Sequence, residues 1–301
     1  VRGLAVPIPY YRPMTFLRIA TPMLIAAGVC AVAIPASSTA ATLKVVGDTP
    51  NVDLTTGVFM PSAQGSGVFF GGMRSPQGNP RGFAMGFEDF PTGWAGPAAN
   101  STLALAFGSG PRIVAQSAGI SRRGAPRPLL GGTGPYLGAR GIETRSSRGG
   151  WQYEHTITYT LPAKGTPRVR EDYVMRLGKA VMVERGGTGG VGNGRLLGGT
   201  FTTPTGEAAG AYAIDSVLAY LYSGGLYEWY VGDATYTFID GSTLRAVGPY
   251  QRATSAAAGA LAASGRVVAS GTGRYQGMRG QVMVSPVNAD GTSTHSFTLV
   301  K

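Results

Sequence analysis

The chain has 301 residues, 48 of them glycine, with 26 basic against 15 acidic side chains and a formal net charge of +11. That length accommodates two domains, each large enough to bury a core of its own. Glycine without a proline period excludes collagen, and an apolar fraction of 43% excludes a disordered chain.

Residues 1–40 read as an export leader. Met14-Thr15-Phe16-Leu17-Arg18 gives a short basic start, Ile19 to Ile34 is almost wholly apolar, and Pro35 to Ala41 is small-residue sequence suited to a signal peptidase. Sixteen or so apolar residues are short for a membrane span of about 20. Met14 is the expected first residue of the gene product, and cleavage is expected near Ala40. The mature chain then carries 23 basic and 15 acidic residues, 23 − 15 = +8. Its only cysteine, Cys30, leaves with the leader, so disulfides, a thiol nucleophile and cysteine metal ligands are excluded. The protein is expected to be secreted or periplasmic, touching membrane only through its leader. Nucleic acid is not the expected partner of such a chain, and oligomerisation is left open.

Short β-rich runs between Gly and Pro punctuation predict an all-β chain. The first domain is expected over 41–161. It opens at Leu43 to Val46 and continues with strands at 67–70 and 82–87 around a turn at Pro76 to Pro80. Thr102 to Phe107 and Arg112 to Ala115 then flank Gly108-Ser109-Gly110. The domain closes on Trp151 to Tyr159, where alternation puts Trp151, Tyr153, His155, Ile157 and Tyr159 on one face. A linker is expected at 162–170 and a second domain over 171–301. That domain holds a glycine-rich loop at 186–194, an aromatic run from Tyr220 to Tyr230 and strands at 234–238 and 244–247. An alanine-rich surface loop or short helix follows at 253–264, and the closing strand places His295, Phe297 and Leu299 together. The chain's two histidines, His155 and His295, thus fall at matching places. Each is either a hydrogen-bonded core residue or an imidazole on a cavity wall.

The two halves are tied by a duplicated motif. Gly132-Thr133-Gly134-Pro135-Tyr136-Leu137-Gly138-Ala139-Arg140-Gly141 recurs as Gly271-Thr272-Gly273-Arg274-Tyr275-Gln276-Gly277-Met278-Arg279-Gly280, at an offset of 271 − 132 = 139. That spacing is the length of a small domain. The motif, with a short strand on each side, resembles the signature of the allene oxide cyclase-like barrels, a superfamily that includes the dirigent proteins. The resemblance covers about the last sixty residues of each half. It implies two tandem eight-stranded antiparallel barrels, each with an apolar cavity. It also implies a small hydrophobic ligand, oriented and shielded from water during cyclisation, isomerisation or stereoselective coupling, with no cofactor or metal.

The residues that match are Gly132, Gly134, Tyr136, Arg140 and Gly141, and Gly271, Gly273, Tyr275, Arg279 and Gly280, the glycines serving turns and close strand approach. Each Tyr/Arg pair, four apart on one expected strand, either steadies an oxyanion or forms a structural ion pair. The candidate catalytic set is Arg279, Tyr275, His295 and Glu228. The candidate binding set is Arg140, Tyr136, His155, Tyr230 and Phe297. Glu228, beside Tyr227 and Trp229, is either a buried acid with a raised pKa or a solvated one. The aromatic second half is the better candidate for chemistry. A non-catalytic binding or cell-envelope module is the alternative, for which the arginines at 122, 123, 127, 140, 145 and 148 form the densest basic patch. Gly187 to Gly192 fits a dinucleotide pattern but no helix-forming sequence follows it, so it reads as a loop. Glu88-Asp89 and Glu171-Asp172 read as solvated loop acids.

Overall fold

The computed structural model describes residues 40–301 except 49–50, 54–64, 91–97, 109, 118–119, 122–124, 151, 185–190, 223–225 and 255–262. The leader, Trp151, most of the glycine-rich loop and most of the alanine-rich stretch therefore lie outside the described residues. The first half is built from β1 (Ala41–Asp48), β2 (Asn51–Asp53), β3 (Gly65–Arg74), β4 (Pro80–Phe90), β5 (Ala98–Phe107), β6 (Arg112–Gln116), β7 (Ile120–Ser121), β8 (Arg127–Gly132), β9 (Arg140–Gly149) and β10 (Gln152–Thr160). The second half is built from β11 (Val169–Leu177), β12 (Val181–Val183), β13 (Gly194–Thr202), β14 (Ala208–Tyr222), β15 (Tyr227–Phe238), β16 (Thr243–Ala253), β17 (Ser264–Gly271), β18 (Arg279–Val284) and β19 (Thr292–Val300).

Each half is a closed, antiparallel, eight-stranded barrel. In the first, the ring runs β1-β10-β9-β8-β6-β5-β4-β3 and returns through Val46 of β1 pairing with Arg74 of β3. In the second it runs β11-β19-β18-β17-β16-β15-β14-β13 and closes where Val174 to Leu177 pair with Gly199 to Thr202. Closure leaves neither ring with an unpaired edge. The short strands β2, β7 and β12 are additions, paired to β3, β5 and β13.

Alternation along the strands divides side chains between three layers. The first interior holds Val45, Phe69, Leu103, Leu105, Ile113, Leu129 and Ile157. The second is more aromatic, with Tyr173, Phe201, Tyr212, Tyr230, Tyr236, Phe238 and Phe297. A third layer lies between the barrels, where Met85, Ala104 and Val114 meet Ala219, Val231, Val247 and Val267. Phe70 stacks on Tyr220 at 4.1 Å, and Phe83 meets Trp229 edge-on at 4.7 Å. Tyr220 and Trp229 of the aromatic run in the second half are thus spent on the first barrel.

The duplicated motif is a strand end, a single 3-10 turn and the start of the next strand. Gly134–Tyr136 and Gly273–Tyr275 are the turns, so Tyr136 and Tyr275 do not share a strand with Arg140 and Arg279. The motif glycines answer a close approach of strands. A Cβ on Gly280 (φ 157) would lie 2.0 Å from the Thr298 carbonyl oxygen, and on Gly141 (φ 156) 2.0 Å from that of Thr158. Gly277, at φ 76, has open space around it. Gly280→Ala is therefore expected to cost more than about 2 kcal/mol through a backbone clash, and Gly277→Ala only about 1 kcal/mol. Urea unfolding of the two variants checks the difference, and equal costs would contradict it.

Candidate functional site

At the end of each barrel that carries the motif turn, aromatic side chains pack across the interior. Tyr136 lies against Phe107 and Tyr159 at 5.5 and 5.6 Å. In the second barrel Tyr275 packs on Phe238 at 4.8 Å, and Tyr173 meets Phe201, Phe238 and Phe297 edge-on. Polar side chains sit deeper, one or two interior positions further along the same strands, and they differ between the halves.

The polar layer of the first barrel is an ionic cluster. Arg127 on β8 pairs across to Glu143 on β9, and its Nε donates to Glu143 Oε2 at 2.7 Å. Its Nη1 donates to Ser101 Oγ at 2.8 Å and reaches Glu88 Oε1 at 3.4 Å. Ser101 donates to the same Glu88 oxygen at 2.9 Å, and Arg145 reaches it at 3.3 Å. His155 Nδ1 lies 2.8 Å from Glu143 Oε1. Glu143 is fully buried, which alone would raise its pKa, but Arg127 and the His155 hydrogen bond outweigh burial and hold it down at about 2. An ionised Glu143 fixes the proton of neutral His155 on Nδ1 and leaves Nε2 as an acceptor. That Nε2 is buried and has no hydrogen-bond partner among the described residues. Burial, helped by Arg127 and Arg145, pushes the His155 pKa down against the pull of Glu143, so the imidazole is neutral near pH 7.

In the second barrel His295 takes the place of His155. Gly141 pairs with Tyr159 and Gly280 with Leu299, and each histidine lies four residues before that partner. Its Nδ1 is 2.9 Å from the Tyr236 hydroxyl, and burial with a nearby Arg266 lowers its pKa to about 3. Phe297 packs edge-on against Tyr236 at 5.0 Å. Tyr230 stacks on Tyr250 at 5.1 Å, and burial beside Glu228 raises its pKa strongly. Glu228 continues the inward face of β15 beyond Tyr230. It accepts from the Tyr230 hydroxyl at 2.9 Å and from Arg252 at 2.7 Å, an ion pair rather than an isolated acid.

Of the expected residues, His295, Phe297, Tyr230 and Glu228 therefore share one interior, and His155 occupies the other. Tyr275 does not join His295. Its hydroxyl donates to Glu171 Oε2 at 2.5 Å and accepts from Arg274 at 2.6 Å, a network at the plugged end, and burial with that carboxylate raises its pKa strongly. Arg279 leaves its barrel altogether. It points at the first half, 3.4 Å from the carbonyl oxygens of Leu129 and Leu130. Arg140 is exposed. Tyr136, its phenol pushed up mainly by burial, lines a cavity of about 470 Å³ at the plugged end with Leu43, Arg81 and Phe107.

Two further expectations are corrected. Glu88 is a buried strand residue inside the ionic cluster, and Glu171 belongs to β11, where it binds Tyr173 and Tyr275. Neither is a solvated loop acid. Of the basic patch, Arg127 and Arg145 turn onto buried carboxylates, Arg148 pairs with Glu154 at the surface, Arg140 stays exposed, and Arg122 and Arg123 lie outside the described residues.

No family model matches the chain, and no curated protein matches it in sequence. Among solved structures it is similar to pyocyanin demethylase, at 16% identity and a TM-score of 0.36, over 44% of this chain and the whole of that one.

The two neutral histidines set the acid limb of stability. His295 titrates near pH 6.5 when unfolded and near 3 when folded, so only the unfolded state gains its proton in between. Stability is full above about pH 6.5 and falls as pH drops toward 3, with Glu143 adding its own loss between its unfolded value of 4.5 and about 2. Melting temperature is expected to fall from pH 6.5 downward, less steeply in His295→Gln. An unchanged slope in that variant would contradict the assignment.

Proposed function

We propose that this chain is an exported small-molecule barrel protein that binds a hydrophobic compound and guides its isomerisation or cyclisation by proton transfer in the first barrel. The observation that carries the reading is the buried Nε2 of His155, unpartnered among the described residues and backed by Glu143. In this role Nε2 accepts a proton from an acidic C–H or O–H of the ligand. The imidazolium that forms is steadied by the Glu143 carboxylate, and the proton returns at a second position of the ligand. Glu143 is a positioning residue: it fixes the tautomer. Arg127 acts on the site through Glu143, whose carboxylate it holds ionised. The step moves a proton pair-wise within one molecule and uses no redox centre. The likeness of the motif to the allene oxide cyclase-like barrels supports the same class of chemistry, on a ligand held away from water.

Two observations favour the first barrel over the aromatic second half for this chemistry. In the second barrel Val282 stands where Glu143 would be, and among the described residues His295 pairs with the Tyr236 hydroxyl and with no carboxylate. Two members of the aromatic run that recommended that half, Tyr220 and Trp229, are engaged between the barrels. The second half is read as a binding domain.

A nitrobenzisoxazole, whose ring opens when a base removes its C–H proton, tests the reading without knowledge of the natural ligand. The full mature protein is expected to open it with saturation, and His155→Gln to slow the reaction by about a hundredfold. Glu143→Gln is expected to move the acid limb of the pH–rate profile as well as the rate. A rate equal to that of free imidazole, or unchanged in His155→Gln, would count against the proposal, provided melting shows both variants folded.

A further inference from the structure

Arg127 and Arg266 stand at the offset of the duplicated motif, 266 − 127 = 139. Both point into their barrels and are nearly inaccessible, 4% and 3% exposed. What surrounds them has diverged. Arg127 pairs across the sheet with Glu143, and Arg266 pairs at the same register with Val282. Counted across the strands from the motif glycines, the place of Glu88 in the first barrel is taken in the second by Ser216. The partners that fix this are Phe87 with Thr102 and Leu105 with Ile113, against Asp215 with Asp233 and Tyr236 with Leu244. Both carboxylates that neutralise the first arginine are thus missing around the second.

The consequence is visible in the hydrogen bonding. Nε and Nη1 of Arg266 are buried and have no hydrogen-bond partner among the described residues. Its contacts are neutral ones, the Tyr250 ring at 4.7 Å from the guanidinium carbon and the Tyr236 phenol. Among the described residues no carboxylate pairs with it. The undescribed stretches of this half, 185–190, 223–225 and 255–262, contain no Asp or Glu that could do so. Water can satisfy N–H donors, but it does not cancel a charge held in a low-dielectric interior, and an uncompensated buried charge costs several kcal/mol. The neighbours add donors rather than acceptors of charge: Arg195 donates to the Tyr250 hydroxyl at 3.1 Å, and Ser216 shares that hydroxyl at 2.8 Å.

We infer that the second barrel is a receptor for an apolar carboxylate, whose negative charge sits on Arg266 and whose body lies among the tyrosine rings around it. The carboxylate supplies the charge that Glu143 and Glu88 supply in the first barrel. Planar, offset rings such as Tyr230 and Tyr250 favour an aromatic body for the ligand. Arg offers such an anion directional donors as well as charge. The inference stands apart from the proton-transfer reading, because it needs only the second barrel and predicts binding whether or not His155 acts as a base.

Calorimetric titration of the full mature protein with naphthoate and with its neutral twin, naphthylmethanol, tests it. The acid is expected to bind at least about tenfold more tightly than the alcohol, as a charged hydrogen bond to a buried guanidinium implies. Arg266→Met is expected to erase that preference while leaving the alcohol's affinity within about twofold, a change too small for loss of the barrel. Because Arg266→Met also changes packing, Val282→Glu serves as the second variant. It restores the carboxylate found in the first barrel, and is expected to abolish naphthoate binding while raising the melting temperature. No preference for the acid in the wild type, or a preference that survives in a folded Val282→Glu protein, overturns the inference. Equal stabilisation by sulfate alone, with nothing added by naphthoate, overturns it too, since the site would then hold an inorganic anion only.

Discussion

A guanidinium enclosed by a barrel has to be answered by negative charge, and the two halves of this protein meet that demand differently. In the first barrel Arg127 is met by Glu143 and, further off, by Glu88, with His155 and Ser101 completing the hydrogen bonds. The cluster is internally balanced, and among the described residues it leaves the acceptor His155 Nε2 without a partner. In the second barrel the arginine is kept and both acids are gone, so positive charge is left over. The same closed ring, built on the same motif, therefore presents a proton acceptor in one half and an anion receptor in the other.

The barrels are also one structure. Met85, Ala104 and Val114 bury apolar surface against Val231, Val247 and Val267, and the Phe70–Tyr220 stack extends that layer. Directional contacts set the register of the two halves: Gly134 N–H donates to Gln281 Oε1 at 2.8 Å, and Arg245 donates to Gln116 at 3.0 Å. Motif residues thus serve twice, closing their own barrel and docking the neighbouring one. Arg279, which sequence placed in a catalytic set, is explained by this second task.

The architecture was legible because duplication at domain spacing and period-two alternation are both written in the sequence. The sequence alone puts His155 and His295 on matching inward faces, since a closing strand leaves only two choices of face. Tyr275 and Arg279 fall apart because the expected single strand from tyrosine to arginine does not form. Gly273, at φ 58, instead folds the G-T-G-x-Y run into a 3-10 turn that sends the tyrosine to the plugged end. Glu88, Arg127, Glu143 and Arg266 were missed for another reason. Their partners are neighbours across strands, and a run of sequence does not show which charges will meet inside a ring. One signal was present all the same. Extending the motif's offset outward aligns Arg127 with Arg266 and sets Glu143 against Val282. An identity beside a charge loss in a duplicated chain marks a place where the copies have separate tasks.

Of the two barrel interiors, only the second is left with positive charge that no protein carboxylate answers among the described residues. A crystal structure of the mature protein with bromobenzoate tests it most directly, because the anomalous signal of bromine locates the ligand without prior assumption. The expected result is one bromine site inside the second barrel, with the carboxylate against Arg266 and no bromine beside Arg127. Bromobenzoate in the first barrel, or an Arg266 found paired with a protein carboxylate and no ligand in either interior, would contradict the account.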